Sequence, residues 1–187
     1  MKPRLVVLAG PNGAGKSTFY RLYLKKSGLP FLNADVLQVN TGIDVYEAAR
    51  TVDAARLAYL EVNAGFITET VFSDPDGRKL EFLRKAIAAG YDVQLIYIGL
   101  ANPELAQMRV AQRVADGGHA VPAGKVASRY PRSLENLAKA LKFVPTVLLF
   151  DNSAHAEYHR LGLFKDGRLI EKTKNDIPRW AQRFFLR

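Results

Sequence analysis

Short apolar runs alternate with longer amphipathic stretches along the chain. Residues 5–9 form a β-rich run with no polar interruption, which is typical of strands buried on both faces of a parallel sheet. Four further runs of this kind follow, at residues 31–33, 66–72, 91–98 and 146–150. The pattern predicts five buried strands.

Helix signals fill the gaps between these runs. Asn102-Pro103-Glu104 combines a capping side chain, a proline at the first helical position and an acid in the first turn, so a helix is expected to begin there. Because a proline ring cannot donate to the helix ladder, we expect the helix after residue 122 to bend or break at Pro131. The helices predicted from pattern open near residue 16 and cover residues 44–63, 79–89, 103–116, 123–142 and 178–185.

Strands that alternate with helices indicate a parallel sheet covered on both faces. We predict a doubly wound α/β domain spanning residues 1–187, with five parallel strands in the order 2-3-1-4-5 and a helical lid at about residues 103–142. Residues 158–172 are predicted to form a C-terminal β-hairpin, because Asp166-Gly167 suits a tight turn. Trp180 and Phe184 lie four residues apart and are expected to pack on the core.

Composition and charge indicate the cellular location of the protein and the kind of partner it binds. The chain has no cysteine, no apolar run long enough to cross a bilayer and no signal-peptide pattern, so a cytoplasmic location is predicted and no membrane partner is expected. The formal net charge is +9. Residues 1–100 carry 12 basic and 10 acidic side chains, whereas residues 101–187 carry 15 and 8. This basic second half favours an anionic partner.

A complete phosphate-binding motif follows the first strand. Its glycines let main-chain N–H groups turn toward phosphate oxygens, Lys16 can reach the β- and γ-phosphates, and the Ser17 hydroxyl can ligate Mg²⁺. The guanine-reading N-K-x-D motif is absent, which favours ATP as the cofactor. The chain is therefore predicted to be a P-loop NTPase that binds nucleotide through Gly10, Pro11, Asn12, Gly13, Ala14, Gly15, Lys16, Ser17 and Thr18.

Acidic residues at the ends of two strands are candidates for the acceptor side of a phosphoryl transfer. Asp35 follows the second strand and could accept a proton from a substrate hydroxyl, although it could instead cap the next helix. Glu69 and Thr70 lie at the end of the third strand. Glu69 could hold the acceptor or a metal-bound water, because an acid in an apolar strand needs a partner.

Arginines of the second half could neutralise the moving phosphoryl group. Arg109 and Arg113 share a helix face, and Arg129 and Arg132 lie on either side of Pro131. Residues 117–122 between the two pairs form a candidate hinge. Arg113 and Arg129 are the preferred catalytic candidates, and Arg132 is a candidate for binding the acceptor.

The order of these motifs resembles the zeta-toxin family of P-loop kinases, especially short bacterial members often described as predicted ABC-type ATPases. The resemblance is carried by residues 8–18, 33–35, 69–70, 97–105, 109–113, 117–122 and 129–137. It implies a kinase that phosphorylates a sugar hydroxyl of UDP-N-acetylglucosamine and acts as a toxin held by an antitoxin protein. It also implies that Asp35 is the base, that Glu69 contacts the acceptor and that Arg113 is the first lid arginine.

Two other functions remain open at this point. An ABC-like or regulatory ATPase would use the same P-loop, but the L-S-G-G-Q signature is absent and no strand ends in paired Asp-Glu. A nucleic-acid kinase would suit the pI of about 9.8, although nucleic acid is the less favoured partner. The preferred prediction is an ATP- and Mg²⁺-dependent phosphotransferase that acts on a small molecule.

Overall fold

A computed structural model describes residues 2–118, 120–154 and 157–186. Its strands are β1 (Arg4–Ala9), β2 (Phe31–Leu32), β3 (Phe66–Thr70), β4 (Asp92–Gly99), β5 (Thr146–Asp151), β6 (His159–Lys165) and β7 (Arg168–Lys172). Its α-helices are α1 (Lys16–Phe19), α2 (Ala34–Thr41), α3 (Val45–Glu61), α4 (Arg78–Ala88), α5 (Pro103–Ala115), α6 (Ala123–Ala140) and α7 (Arg179–Gln182). One residue of the predicted hinge, His119, lies outside the described residues.

The strands form one sheet in the order β2-β3-β1-β4-β5-β6-β7. The first five are parallel, which confirms the predicted order 2-3-1-4-5. The C-terminal hairpin is also confirmed, and its turn residues Asp166 and Gly167 both have positive φ, as a tight hairpin turn requires. The hairpin pairs with β5 and extends the parallel sheet into a seven-stranded mixed one.

The third strand is shorter than its apolar run predicts. It ends at Thr70 rather than at residue 72, because Phe72 adopts a φ of 61° that no strand allows. The Phe72 N–H then donates to Thr70 Oγ1 at 3.0 Å. Residues 71–75 therefore form a loop at the carboxyl end of the sheet.

Two helical features differ from the predictions. α2 is a separate helix, capped by Asn33 before the helix predicted at residues 44–63. The sequence predicts a bend or a break at Pro131, and the break is wrong, since α6 runs through that proline without interruption. Buried contacts hold the helix on both sides of the proline: Tyr130 donates to the Leu100 carbonyl at 2.7 Å and Ser133 to the Val71 carbonyl at 2.9 Å.

Apolar clusters lie on both faces of the sheet. One face is covered by α4, the second half of α6 and the C-terminal segment, where Trp180 and Phe184 are buried as predicted. The other face is covered by the helix after the P-loop, α5 and the first half of α6. That first helix continues beyond α1 as a π-helical stretch, Tyr20–Leu24, and a short 3-10 turn, Lys25–Ser27. In the described part of the chain, no helix has the length and apolarity needed to cross a membrane.

Candidate active site

The P-loop leaves β1 at its carboxyl end and closes onto neighbouring elements too tightly for side chains at all three of its glycines, Gly10, Gly13 and Gly15. A Cβ atom at Gly13 would lie 2.8 Å from the Ala106 carbonyl oxygen, and one at Gly15 would lie 2.7 Å from both Asn152 Nδ2 and Tyr158 Oη. Both glycines have positive φ. The loop therefore needs glycine here for its main-chain conformation and for its packing.

Two residues after β5 donate hydrogen bonds to carbonyls of the P-loop. Asn152 Nδ2 donates to the Ala14 carbonyl at 3.0 Å, and the Tyr158 hydroxyl donates to the Gly15 carbonyl at 2.7 Å. These bonds give two carbonyls of the loop side-chain donors and tie the loop to the segment after β5. No sequence motif points to Asn152 or Tyr158, because they lie more than 130 residues from the carbonyls they bind.

Lys16 is a buried cation, with 6% of its surface exposed. Its Nζ donates to the Pro11 carbonyl at 3.0 Å and lies 3.7 Å from Glu69 Oε1. Burial lowers the pKa of Lys16, whereas the charges of Glu69 and Asp35 act in the opposite direction. The arrangement places one buried ammonium group at the P-loop, where a phosphate chain would be bound.

Glu69 connects the P-loop to the second strand. Its Oε2 accepts from Ser17 Oγ at 2.9 Å and from Asn33 Nδ2 at 2.8 Å. Glu69 ends up here because β3 is the direct neighbour of β1, with Leu8 and Glu69 in register. This carboxylate joins the candidate metal ligand Ser17 to the turn that carries Asp35.

Asp35 lies in the first turn of α2 and is exposed. It is not the helix cap: Asn33 Oδ1 accepts from the main-chain N–H groups of Asp35 at 2.8 Å and Val36 at 3.2 Å. The Asp35 carboxylate is close enough to raise the pKa of Lys16. The structure therefore places Asp35 on the P-loop side of the molecule, without the capping role that was its structural alternative.

A cavity of about 430 Å³ opens beside Glu69. Glu69 and Thr70 line one part of it, and Arg129 and Arg132 of α6 line another. Four residues predicted from sequence are thus brought together around one space, although 63 positions separate Glu69 from Arg132. A cavity of this size accommodates a small ligand.

An ion network centred on a buried arginine lies along this cavity. Arg56 of α3 is 7% exposed, and it donates from Nε to Thr68 Oγ1 at 2.7 Å and from Nη2 to the Glu69 carbonyl at 2.9 Å. Asp53 accepts from Arg56 and, at 2.9 Å, from Lys79. Partial burial acts to raise the pKa of Asp53, but the Lys79 hydrogen bond and the charges of Lys79 and Arg56 hold it below its usual value. Nothing in the helical pattern around Arg56 distinguishes it from a surface arginine.

The predicted arginines divide into two groups. Arg113 lowers the pKa of Lys16, so its charge lies near the P-loop. Arg109 packs on Gly13 and donates to the Ser153 carbonyl at 3.2 Å. Arg129 and Arg132 instead line the cavity beside Glu69.

Comparison with family models decides the family. The Zeta toxin model matches residues 45–163, more than half of the chain. The chain belongs to the Zeta toxin family. The matched region begins after the P-loop and includes β3, α5 and α6, so the resemblance noted from sequence is confirmed. Comparison with curated proteins gives no match.

Solved structures share the fold at low sequence identity. The AvrRxo1-ORF1:-ORF2 complex with ATP aligns with 98% of this chain, at a TM-score of 0.72 and 16% identity. The PezAT toxin–antitoxin system of Streptococcus pneumoniae aligns with all of it, at 0.59 and 18%. The Pnkp1/Rnl/Hen1 RNA repair complex aligns with 73% of it, at 0.59 and 21%. The chain spans 63% of the matched AvrRxo1 chain and 46% of the RNA repair chain. This likeness confirms a P-loop kinase fold.

Proposed function

We propose that this chain is an ATP- and Mg²⁺-dependent kinase that transfers the γ-phosphoryl group to a hydroxyl of a small molecule. One observation carries the proposal: Glu69 bonds both Ser17 of the P-loop and Asn33, which caps the helix bearing Asp35. The phosphate-binding side and the candidate base are thereby linked through one carboxylate. The proposal includes a single domain, residues 1–187, with a lid at about residues 103–142.

The nucleotide side fits a phosphate chain. The close approaches around Gly13 and Gly15 leave a main-chain cradle, with the Lys16 ammonium buried beside it. In our proposal the nine residues from Gly10 to Thr18 hold the phosphates, and Ser17 ligates Mg²⁺, with Glu69 orienting the Ser17 hydroxyl. Mg²⁺ in such a site neutralises charge on the β- and γ-phosphate oxygens.

Asp35 is the proposed base. Its exposed carboxylate accepts the proton of the acceptor hydroxyl as that oxygen attacks the γ-phosphorus. Arg113, whose charge lies near Lys16, stabilises the negative charge that develops on the transferred group. Arg129, also proposed as catalytic, faces the cavity with Arg132, so both are assigned to orienting the acceptor against the γ-phosphoryl.

UDP-N-acetylglucosamine is the first acceptor to test. Membership of the Zeta toxin family supports it, and so does a cavity that combines Glu69 and Thr70 with two arginines, which suits a ligand with hydroxyls and negative charge. The PezAT neighbour is named as a toxin–antitoxin system. We therefore propose a toxin role and an antitoxin protein as partner.

A nucleic-acid kinase is the second candidate. The basic second half of the chain and the similarity to a chain of an RNA repair complex favour it. Binding to nucleic acid would weaken steeply with added salt, whereas binding of a small acceptor in the cavity would change little.

γ-Labelled ATP distinguishes these functions. The chain is incubated with UDP-N-acetylglucosamine, with nucleosides and with 5′-hydroxyl RNA, and label transfer is measured next to free phosphate release. We expect label on a small molecule and slow ATP consumption without acceptor. Fast hydrolysis that no acceptor changes would support the ABC-like or regulatory ATPase instead.

A further inference from the structure

The loop that follows β3, residues 71–75, is held by hydrogen bonds from α6. Ser133 Oγ donates to the Val71 carbonyl at 2.9 Å, and Asn136 Nδ2 donates to the carbonyls of Phe72 at 3.1 Å and Asp74 at 3.0 Å. Ser133 and Asn136 are both buried. Phe72 is buried in the left-handed region, which is unfavourable for a bulky residue. The loop is therefore fixed in one conformation by dedicated hydrogen bonds.

Asp74 is the acidic residue of this loop, and it lines the cavity beside Glu69. Its Oδ2 accepts from the main-chain N–H of Lys79 at 3.2 Å in the first turn of α4. Its Oδ1 is buried and has no hydrogen-bond donor among the described residues. A buried carboxylate oxygen without a donor is destabilising, so such a group calls for a specific reason.

Helix capping does not supply that reason. One oxygen is sufficient to accept from Lys79, and a serine or asparagine would do so without burying a second charged oxygen. The main chain of Asp74 is fixed by Asn136, which limits how far the side chain can move to find another protein donor. Asp74 thus lines the cavity with one carboxylate oxygen that lacks a donor, at an energetic cost to the folded protein.

We propose that Asp74 is an acceptor-binding residue, whose carboxylate receives a hydrogen bond from a hydroxyl or N–H group of the acceptor, and that Asn136 is its positioning residue. The inference rests on the proposed kinase function, because it takes the cavity as the acceptor site. It gives α6 two roles. Arg129 and Arg132 line the cavity directly, while Ser133 and Asn136 hold the loop at residues 71–75, which also lines it.

Asp74→Asn tests the first part, with Asp76→Asn as the matched control. Asp76 is two residues away, exposed, and paired with Arg78 at 3.0 Å. UDP-N-acetylglucosamine serves as the probe, and its affinity is measured by calorimetry with a non-hydrolysable ATP analogue present. We expect Asp74→Asn to weaken probe binding at least tenfold and leave analogue binding unchanged, and Asp76→Asn to change neither. Wild-type probe affinity in Asp74→Asn overturns the proposal.

Asn136→Ala tests the positioning role, with Tyr130→Phe as control. Both changes remove buried hydrogen bonds of α6, but Tyr130 binds the Leu100 carbonyl rather than the loop. We expect Asn136→Ala to raise the KM for the probe at least fivefold at an unchanged KM for ATP, and Tyr130→Phe to leave both as they are. Equal effects of the two variants on the probe KM would contradict the positioning role.

Thermal unfolding separates failure of this inference from failure of the proposed acceptor. If the wild type binds no UDP-N-acetylglucosamine, that acceptor is wrong. The Tm of Asp74→Asn then still shows whether Asp74 has a ligand-binding or a structural role. A carboxylate kept for a ligand predicts an unchanged or higher Tm in the variant. A Tm lower by more than about 3 °C, which is roughly 1 kcal/mol for a chain of this size, would make Asp74 a structural residue.

Discussion

The nucleotide side and the acceptor side of this site are built in different ways. On the proposed nucleotide side, nine consecutive residues bind through main-chain N–H groups and one buried lysine. The proposed acceptor side collects side chains from α2, α3, β3 and α6, held by long-range contacts such as Asn136 to Phe72. A cradle made of main chain leaves a continuous motif in the sequence, whereas a pocket made of scattered side chains leaves separate residues that only the fold brings together.

Lys16→Ala should have the largest effect, because it removes the buried cation of the nucleotide side. We expect nucleotide affinity to fall by at least about 100-fold and transfer to be abolished. Binding of a fluorescent ATP analogue measures this. Lys25→Ala, on the exposed continuation of the same helix, serves as control and should bind normally. Tight binding by Lys16→Ala would contradict the assignment of the P-loop.

Arg113→Ala and Arg129→Ala should separate the two sides kinetically. Arg113 lies near Lys16, so its loss should lower kcat about 100-fold at little cost in ATP affinity. Arg129 lines the cavity, so its loss should raise the acceptor KM about tenfold. Steady-state kinetics in both substrates distinguishes these patterns. An identical pattern for both variants would mean that the two arginines act as one group.

These differences explain which features of the fold and the site could be predicted from the sequence. The buried strands, the hairpin and the P-loop were predictable because each depends on local pattern: a continuous apolar run, an Asp-Gly turn, a fixed motif. The uninterrupted helix at Pro131 was not, because the tertiary contacts of Tyr130 and Ser133 outweigh the local cost of proline. Arg56, Asn152 and Tyr158 were not either, because their roles depend on partners distant in sequence.

Gly13→Ala should destabilise the protein more than Gly42→Ala does. The two glycines have nearly equal φ, 75° and 72°, but a Cβ at Gly42 meets nothing within 4 Å, whereas one at Gly13 meets the Ala106 carbonyl. We expect Gly42→Ala to cost about 1–2 kcal/mol from backbone strain alone, and Gly13→Ala to cost more. Chemical denaturation measures both. Equal costs would show that the P-loop does not need its close contact with α5.

Lys16→Met should change the pH dependence of stability by a small amount. The pKa of Lys16 lies below its ordinary value of 10.5 in the folded state, so the unfolded state binds more protons just below pH 10.5. Wild-type stability therefore gains with rising pH in this window, and the variant lacks that gain. The Tm of the wild type minus the Tm of Lys16→Met should therefore increase from pH 7 to pH 10.5. A shift in the opposite direction would contradict a lowered pKa.

Asp35→Asn gives the most direct test of the kinase proposal, because it changes the proposed base without changing its size or the Asn33 cap. ATP-analogue affinity and γ-phosphoryl transfer to the acceptor found in the label screen are measured on the same preparation. We predict wild-type affinity with transfer reduced at least about 100-fold. Normal transfer by Asp35→Asn would contradict a base at this position and, with it, the proposed mechanism.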